Sequence, residues 1–168
     1  FFSLALLLAV ATLTAQTKMT AREAAVKIAD RILASTTYEF KNTKTGEIYK
    51  SVKKLPLDMD VKVACKYNNW HYTNGVTNMA LMELGDKLGD KKYEKYVLKN
   101  MNFVFNEGNL DFFRKQYDEA FKRDGWNAVR KLSWHMIFRG KRLDDNGPIG
   151  ASLIELQLKY PNDSFLGY

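Results

Sequence analysis

Two adjacent carboxylates, Asp144 and Asp145, stand in the stretch Leu143-Asp-Asp-Asn-Gly-Pro-Ile-Gly150, just ahead of apolar residues at helical spacing: Ile149, Leu153, Leu156 and Tyr160. A carboxylate at a helix start has two uses. It can cap the free backbone N–H groups there, a role worth about 1 kcal/mol, or burial can keep it protonated so that it serves as an acid. For Asp145, and for Asn146 beside it, the cap is the plainer reading. For Asp144 the two uses stand level, because one capping residue leaves the other free. Trp70 and Tyr72, in Trp-His-Tyr-Thr-Asn-Gly-Val76, read by themselves as core aromatics, with stacking on a sugar face as the rival. Cys65 is the only cysteine and sits in Val-Ala-Cys-Lys without a supporting motif, which reads as a buried structural thiol. His71 and His135 lack metal-ligand spacing and read as structural.

The elements that position these residues repeat. Moving 72 positions along the chain places Asn74-Gly75, Leu81, Glu83-Leu84, Lys87 and Tyr96 on Asn146-Gly147, Leu153, Glu155-Leu156, Lys159 and Tyr168. A period of this length points to a helical hairpin used more than once. On this alignment Tyr72 and Asp144 occupy the same place in successive units.

Taken in order, Thr20-Ala-Arg-Glu23 has capping-box spacing, and Ala21, Ala25, Ile28 and Ile32 follow at helical intervals, predicting an amphipathic helix from about Thr20 to Ser35. Residues 36–69 lose that pattern. Thr43-Lys-Thr-Gly46 looks like a turn and Pro56 interrupts regular structure, so a long connection with a small hairpin is expected. A helix to about Leu88 follows, with Met79, Ala80, Leu81, Met82 and Leu84 apolar on more than one side, and it is expected to be buried nearly all round. Gly89 ends it and Asp90 caps the next, whose stripe is Tyr93, Tyr96, Val97, Met101 and Val104. Alternation of buried and amphipathic helices is the logic of concentric helical barrels. Residues 109–131 read as one or two short helices around Gly125, laid over one rim. In the last helix Pro148 is expected in the first turn.

Composition bounds the class. The 168 residues are 46% hydrophobic, enough for one packed domain, and the net charge is +7. The lysines are scattered over helix surfaces, so they read as a solvated face and not as a nucleic-acid site. Residues 1–15 are uncharged and rich in Leu, Ala and Val, like the apolar core of a signal peptide ending near Ala15. The run is shorter than the roughly 20 residues of a membrane span. The expected location is therefore periplasmic or extracellular, with no membrane span in the mature chain. The expected division is a partial signal peptide over 1–15 and one helical domain over 16–168, its C-terminal portion cut short.

Trp70-His-Tyr-Thr-Asn-Gly-Val76, Leu88-Gly-Asp-Lys-Lys-Tyr93 and Leu143-Asp-Asp-Asn-Gly-Pro-Ile-Gly150 together resemble the amino-terminal part of glycoside hydrolase family 105, the unsaturated rhamnogalacturonyl hydrolases, relatives of the family 88 unsaturated glucuronyl hydrolases. The resemblance covers about Thr20 to Tyr168. It implies an all-α fold, a partial (α/α)6 six-hairpin barrel of which roughly the first two hairpins are present. It further implies removal of a 4,5-unsaturated uronic acid from lyase-generated oligosaccharides by hydration of the vinyl ether, with no metal or organic cofactor. On the resemblance Asp144 is the catalytic-site carboxylate that binds the sugar ring and supports proton transfer, and Tyr72, Trp70 and Asp145 bind substrate. The principal acid and base would fall after Tyr168, so this stretch alone is expected to be inactive. Asp145 and residues 109–131 depart from the shortest family pattern. Two other readings stand beside this one: a non-catalytic helical-repeat protein that binds acidic glycans, and another six-hairpin glycosidase with ordinary hydrolytic chemistry.

Overall fold

The computed structural model describes residues 19–139, 143–162 and 165. They form a mostly helical chain with six helices and one small three-stranded sheet. The elements are α1 (Ala21–Ser35), β1 (Phe40–Asn42), β2 (Ile48–Tyr49), β3 (Val61–Val63), α2 (Tyr72–Leu88), α3 (Lys92–Val104), α4 (Glu107–Val129), α5 (His135–Arg139) and α6 (Leu143–Lys159). Among the described residues no helix is long and apolar enough to cross a membrane. The segment 1–15, read as a signal peptide, lies outside the described residues.

Local chemistry explains where these elements begin and end. Thr20 and Glu23 complete the capping box of α1, with the Thr20 hydroxyl accepting the Glu23 N–H and the Glu23 carboxylate accepting the Thr20 N–H at 2.8 Å. Gly89 closes α2 in the left-handed conformation (φ 66°), which a residue without Cβ adopts at no steric cost. Three residues later the chain starts back as α3, and Asp90 accepts the Lys92 N–H at 3.0 Å. In the connection before α2, Asn42 turns the β1–β2 hairpin by accepting the N–H groups of Lys44 and Thr45, while β3 adds antiparallel on the other side of β1 with Phe40 opposite Val63. The connection is thus a three-stranded sheet, one strand more than a hairpin.

The core sits between this sheet and the helices. Phe40 stacks on Phe103 with ring centroids 5.4 Å apart, and Trp134 packs at 4.6 Å on Phe113. Trp134 carries a positive φ of 57°, uncommon for so bulky a side chain. Its indole N–H reaches the Asn68 carbonyl at 2.7 Å, so packing and a buried hydrogen bond hold that backbone. Helix α4 runs on to Val129, but Asp124 and Gly125 leave helical geometry inside it, so Gly125 does divide two helical pieces.

Three expectations need correction. The stripe Ala21, Ala25, Ile28 and Ile32 of α1 meets the core only at Ile32: the first three are exposed, and Ala29 is the residue turned fully inward. Tyr93 and Tyr96 decide this, because their hydroxyls bond Asp30 and Thr36 at 2.9 Å and rotate α1 accordingly. Helix α2 is not buried all round, since Val76 and Met79 lie on an open side. Finally, α6 begins at Leu143, so Pro148 is its sixth residue, and Asp145 and Asn146 stand inside the first turns instead of capping them. A proline there withholds the N–H that the Asp144 carbonyl would accept in the helix.

Candidate functional site

Helices α2 and α6 lie side by side and parallel, which brings their starts together at one end of the molecule. Gly75 makes the close approach possible: a Cβ there would stand 2.4 Å from the Ile149 nitrogen and the Pro148 carbonyl carbon. At the far end Lys159 bonds Asp86 at 2.7 and 2.8 Å and Glu94 at 3.2 Å, and Tyr160 donates to Glu94 at 2.6 Å. The ammonium of Lys159 holds Asp86 below the usual carboxylate range, and that carboxylate raises Lys159 in turn. The hydrogen bond to Glu94 pushes the Tyr160 phenol up.

At the near end stand the residues picked out from sequence. Tyr72 is the first residue of α2 and Asp144 the second of α6; both are exposed. His71 caps α2, its Nδ1 accepting the Thr73 N–H, and its ring lies 4.8 Å from that of Tyr72. Trp70 is committed elsewhere. Its indole N–H donates to Asn146 Oδ1 at 2.7 Å and its ring packs edge-on against Phe105. It joins the two helix starts as a strut, so its contribution to a site is to position the groups on either side. The side chain of Asp145 lies outside the described residues.

No family model, curated protein or solved structure matches this chain. What the site does is therefore read from the chain's own residues.

Below the two helix starts, Asn68, Asn74, Asn78, Asn100 and Ile149 line a cavity of ≈ 20 Å³, large enough for one water molecule. Asn74 fastens the loop ahead of α2 by donating to the Asn69 and Lys66 carbonyls at 2.6 and 2.9 Å. Trp70, Met101 and Val104 also line the cavity, so the floor of this end is largely apolar, while Tyr72 and Asp144 stand exposed at the helix starts. His135 and Cys65 take no part: His135 Nδ1 bonds the Leu132 carbonyl at 2.8 Å, and Cys65 is buried against the Ser35 carbonyl. Among the described residues no group of three or more His, Cys, Asp or Glu is placed to hold a metal ion.

Two residues that shape this end were given other parts in the sequence. Asn146, read as a cap, is the acceptor for Trp70, a partner 76 positions away. Gly75 sets the helix separation. The repeated Asn-Gly at 74–75 and 146–147 was the available signal for both.

An exposed phenol and an exposed carboxylate can each hydrogen-bond a polar ring. Two parallel helices also present their positive ends together, an arrangement that favours an anionic ligand. Asp144 is exposed at the start of α6, where it is open to a ligand.

Proposed function

We propose that this chain is the amino-terminal part of an exported glycoside hydrolase that removes a 4,5-unsaturated uronic acid from oligosaccharides by hydrating the vinyl ether. The observation that carries the reading is the placement of Tyr72 and Asp144, one repeat period apart in sequence, in the first turns of two neighbouring helices. The resemblance of these motifs to family 105 supplies the chemistry of this reading, in which α2 and α6 serve as the first two inner helices of a six-hairpin barrel, with α3 as an outer one. In this reading Tyr72 and Asp144 grip the ring, and the helix ends attract its carboxylate. A carboxyl group other than Asp144, standing after Tyr168 on the resemblance, protonates C4. Water adds at C5, and the hemiketal opens with loss of the aglycone.

The test uses the chain together with whatever follows it in its gene. Unsaturated uronyl oligosaccharide is supplied and loss of the near-ultraviolet absorbance of the enol acid is followed. Asp144→Asn is expected to lower kcat/KM by about tenfold or more, the loss of a charge-assisted hydrogen bond of roughly 1.5–3 kcal/mol. Turnover unchanged by that substitution removes Asp144 from the site. The exposure of Asp144 also favours a second reading, non-catalytic binding of acidic glycans. Saturable binding of the oligosaccharide with no loss of absorbance would select it.

A further inference from the structure

His71 stands next to Tyr72 at the start of α2, and one half of its imidazole is already committed. As the N-cap of that helix its Nδ1 accepts the Thr73 N–H at 3.4 Å, and the Thr73 hydroxyl lies 2.9 Å from the same nitrogen. A backbone N–H only donates, so Nδ1 has to be the bare nitrogen while the cap holds, and the ring proton sits on Nε2. Nε2 has no hydrogen-bond partner among the described residues, and His71 is exposed. The cap thus decides which nitrogen carries the proton and leaves that N–H open at the near end of the molecule.

What this donor suits follows from its neighbours. The His71 ring lies 4.8 Å from the exposed ring of Tyr72, with the two planes inclined by 38°. Together they offer two aromatic rings, one N–H donor and one phenol hydroxyl. Asp144, as a carboxylate, accepts from sugar hydroxyls and repels a second carboxylate, so it is no partner for the acid group of a uronide. An N–H donor is such a partner, and the positive end of the 17-residue α2 adds to the attraction. The indole N–H of Trp70 is spent on Asn146, and the amide of Asn74 on the Asn69 and Lys66 carbonyls, whereas the His71 N–H is open.

We propose that His71 is a specificity-determining residue: its Nε2–H donates to the carboxylate of the uronic acid, while Tyr72 and Asp144 hold the ring. The inference rests on the function proposed for this site and adds to it the group that recognises the acid. One imidazole then does two jobs, capping α2 through one nitrogen and binding ligand through the other. Asparagine separates them, because its amide oxygen caps a helix as Nδ1 does here and nothing in it takes the place of Nε2.

The test sets the protein of the turnover assay beside its His71→Asn and His71→Ala variants, each with the unsaturated uronyl oligosaccharide and with its methyl ester, which lacks the negative charge. Discrimination is read as the ratio of kcat/KM where the ligands are turned over, and as the ratio of Kd by titration calorimetry where they are not. The wild type is expected to prefer the acid by about tenfold or more, the worth of a hydrogen bond to a charged group, and both variants to lose that preference. In His71→Asn the methyl ester should be handled within about twofold of wild type, with amide exchange at Thr73 unchanged, because the cap is kept. A histidine that serves only as a cap would leave His71→Asn like the wild type on both ligands and weaken both alike in His71→Ala. That pattern, or a wild type without preference for the acid, overturns the proposal, and a wild type that binds neither ligand overturns it together with the reading of the site. Binding that prefers the acid and loses the preference in both variants, with no turnover, would sink the hydrolase reading and leave this assignment standing.

Discussion

Replacing Gly75 by alanine puts a methyl group where the backbone of α6 already is. The 2.4 Å approaches are to the Ile149 nitrogen and the Pro148 carbonyl carbon, neither of which can swing aside as a side chain would. Relief requires α2 and α6 to separate, yet Trp70–Asn146 at one end and Asp86–Lys159 at the other hold them together. Overpacking of this kind costs roughly 1–3 kcal/mol. Alanine returns about 0.5–1 kcal/mol by restricting the unfolded chain and favouring helix. The net expectation is a loss of about 1–2 kcal/mol, a fall in Tm of roughly 2–8 °C for a chain of this size. The control is its repeat counterpart. Gly147→Ala meets nothing within 4 Å and should gain about 0.5–1 kcal/mol, raising Tm by roughly 1–4 °C. Thermal and urea unfolding followed by circular dichroism at low protein concentration reads both. If the two substitutions shift stability in the same direction, Gly75 does not set the helix separation and the account of the site end is wrong.

Other outcomes follow from single contacts. Trp70→Phe keeps the ring against Phe105 but leaves Asn146 Oδ1 without its donor, which should cost about 1 kcal/mol in unfolding free energy; an unchanged urea midpoint would show the bond to be unimportant. Thr20→Ala removes the capping box and should fray the first turn of α1 by about 0.5–2 kcal/mol, visible as faster amide exchange there with core protection unchanged. The Asp86–Lys159 pair has a defined pH window. The depressed Asp86 contributes fully above the ordinary aspartate pKa and loses its contribution as pH falls through its lower folded value, whereas the raised Lys159 contributes fully below the ordinary lysine pKa and fades as pH rises through its higher one. Comparing wild type with Lys159→Met should therefore give a constant stability difference from about pH 4 to about pH 10 that shrinks only outside it. A difference that titrates near neutrality would assign the effect to another group.

What the sequence made legible was what short-range chemistry decides. The capping box at Thr20 and Glu23, the left-handed stop at Gly89 and the break at Gly125 each depend on a few neighbouring residues, and each stands where the pattern put it. Periodicity could not say which apolar face finds a partner. Ala25 and Ile28 on α1 and Ile154 and Leu158 on α6 have core-like spacing but lie open, because a hydrophobic stripe marks a surface that wants covering and not the neighbour that covers it. Trp70 illustrates the same limit from the polar side. Its aromatic character was plain, whereas its engagement with Asn146 depends on two helices meeting. The start of α6 was misplaced because Pro148 and Asn146 both carry helix-start preferences that the packing against Gly75 overrides.

The two fastenings of α2 to α6 have one further effect. A parallel helix pair can slide by a full turn, about 5.4 Å, and still bury much of the same apolar area. Here the indole-to-amide bond at one end and the ammonium-to-carboxylate bond at the other would both break in such a slip. The pair therefore works like a vernier locked at both ends of its scale, and the backbone at Tyr72 and at Asp144 keeps its relative height along the two helices.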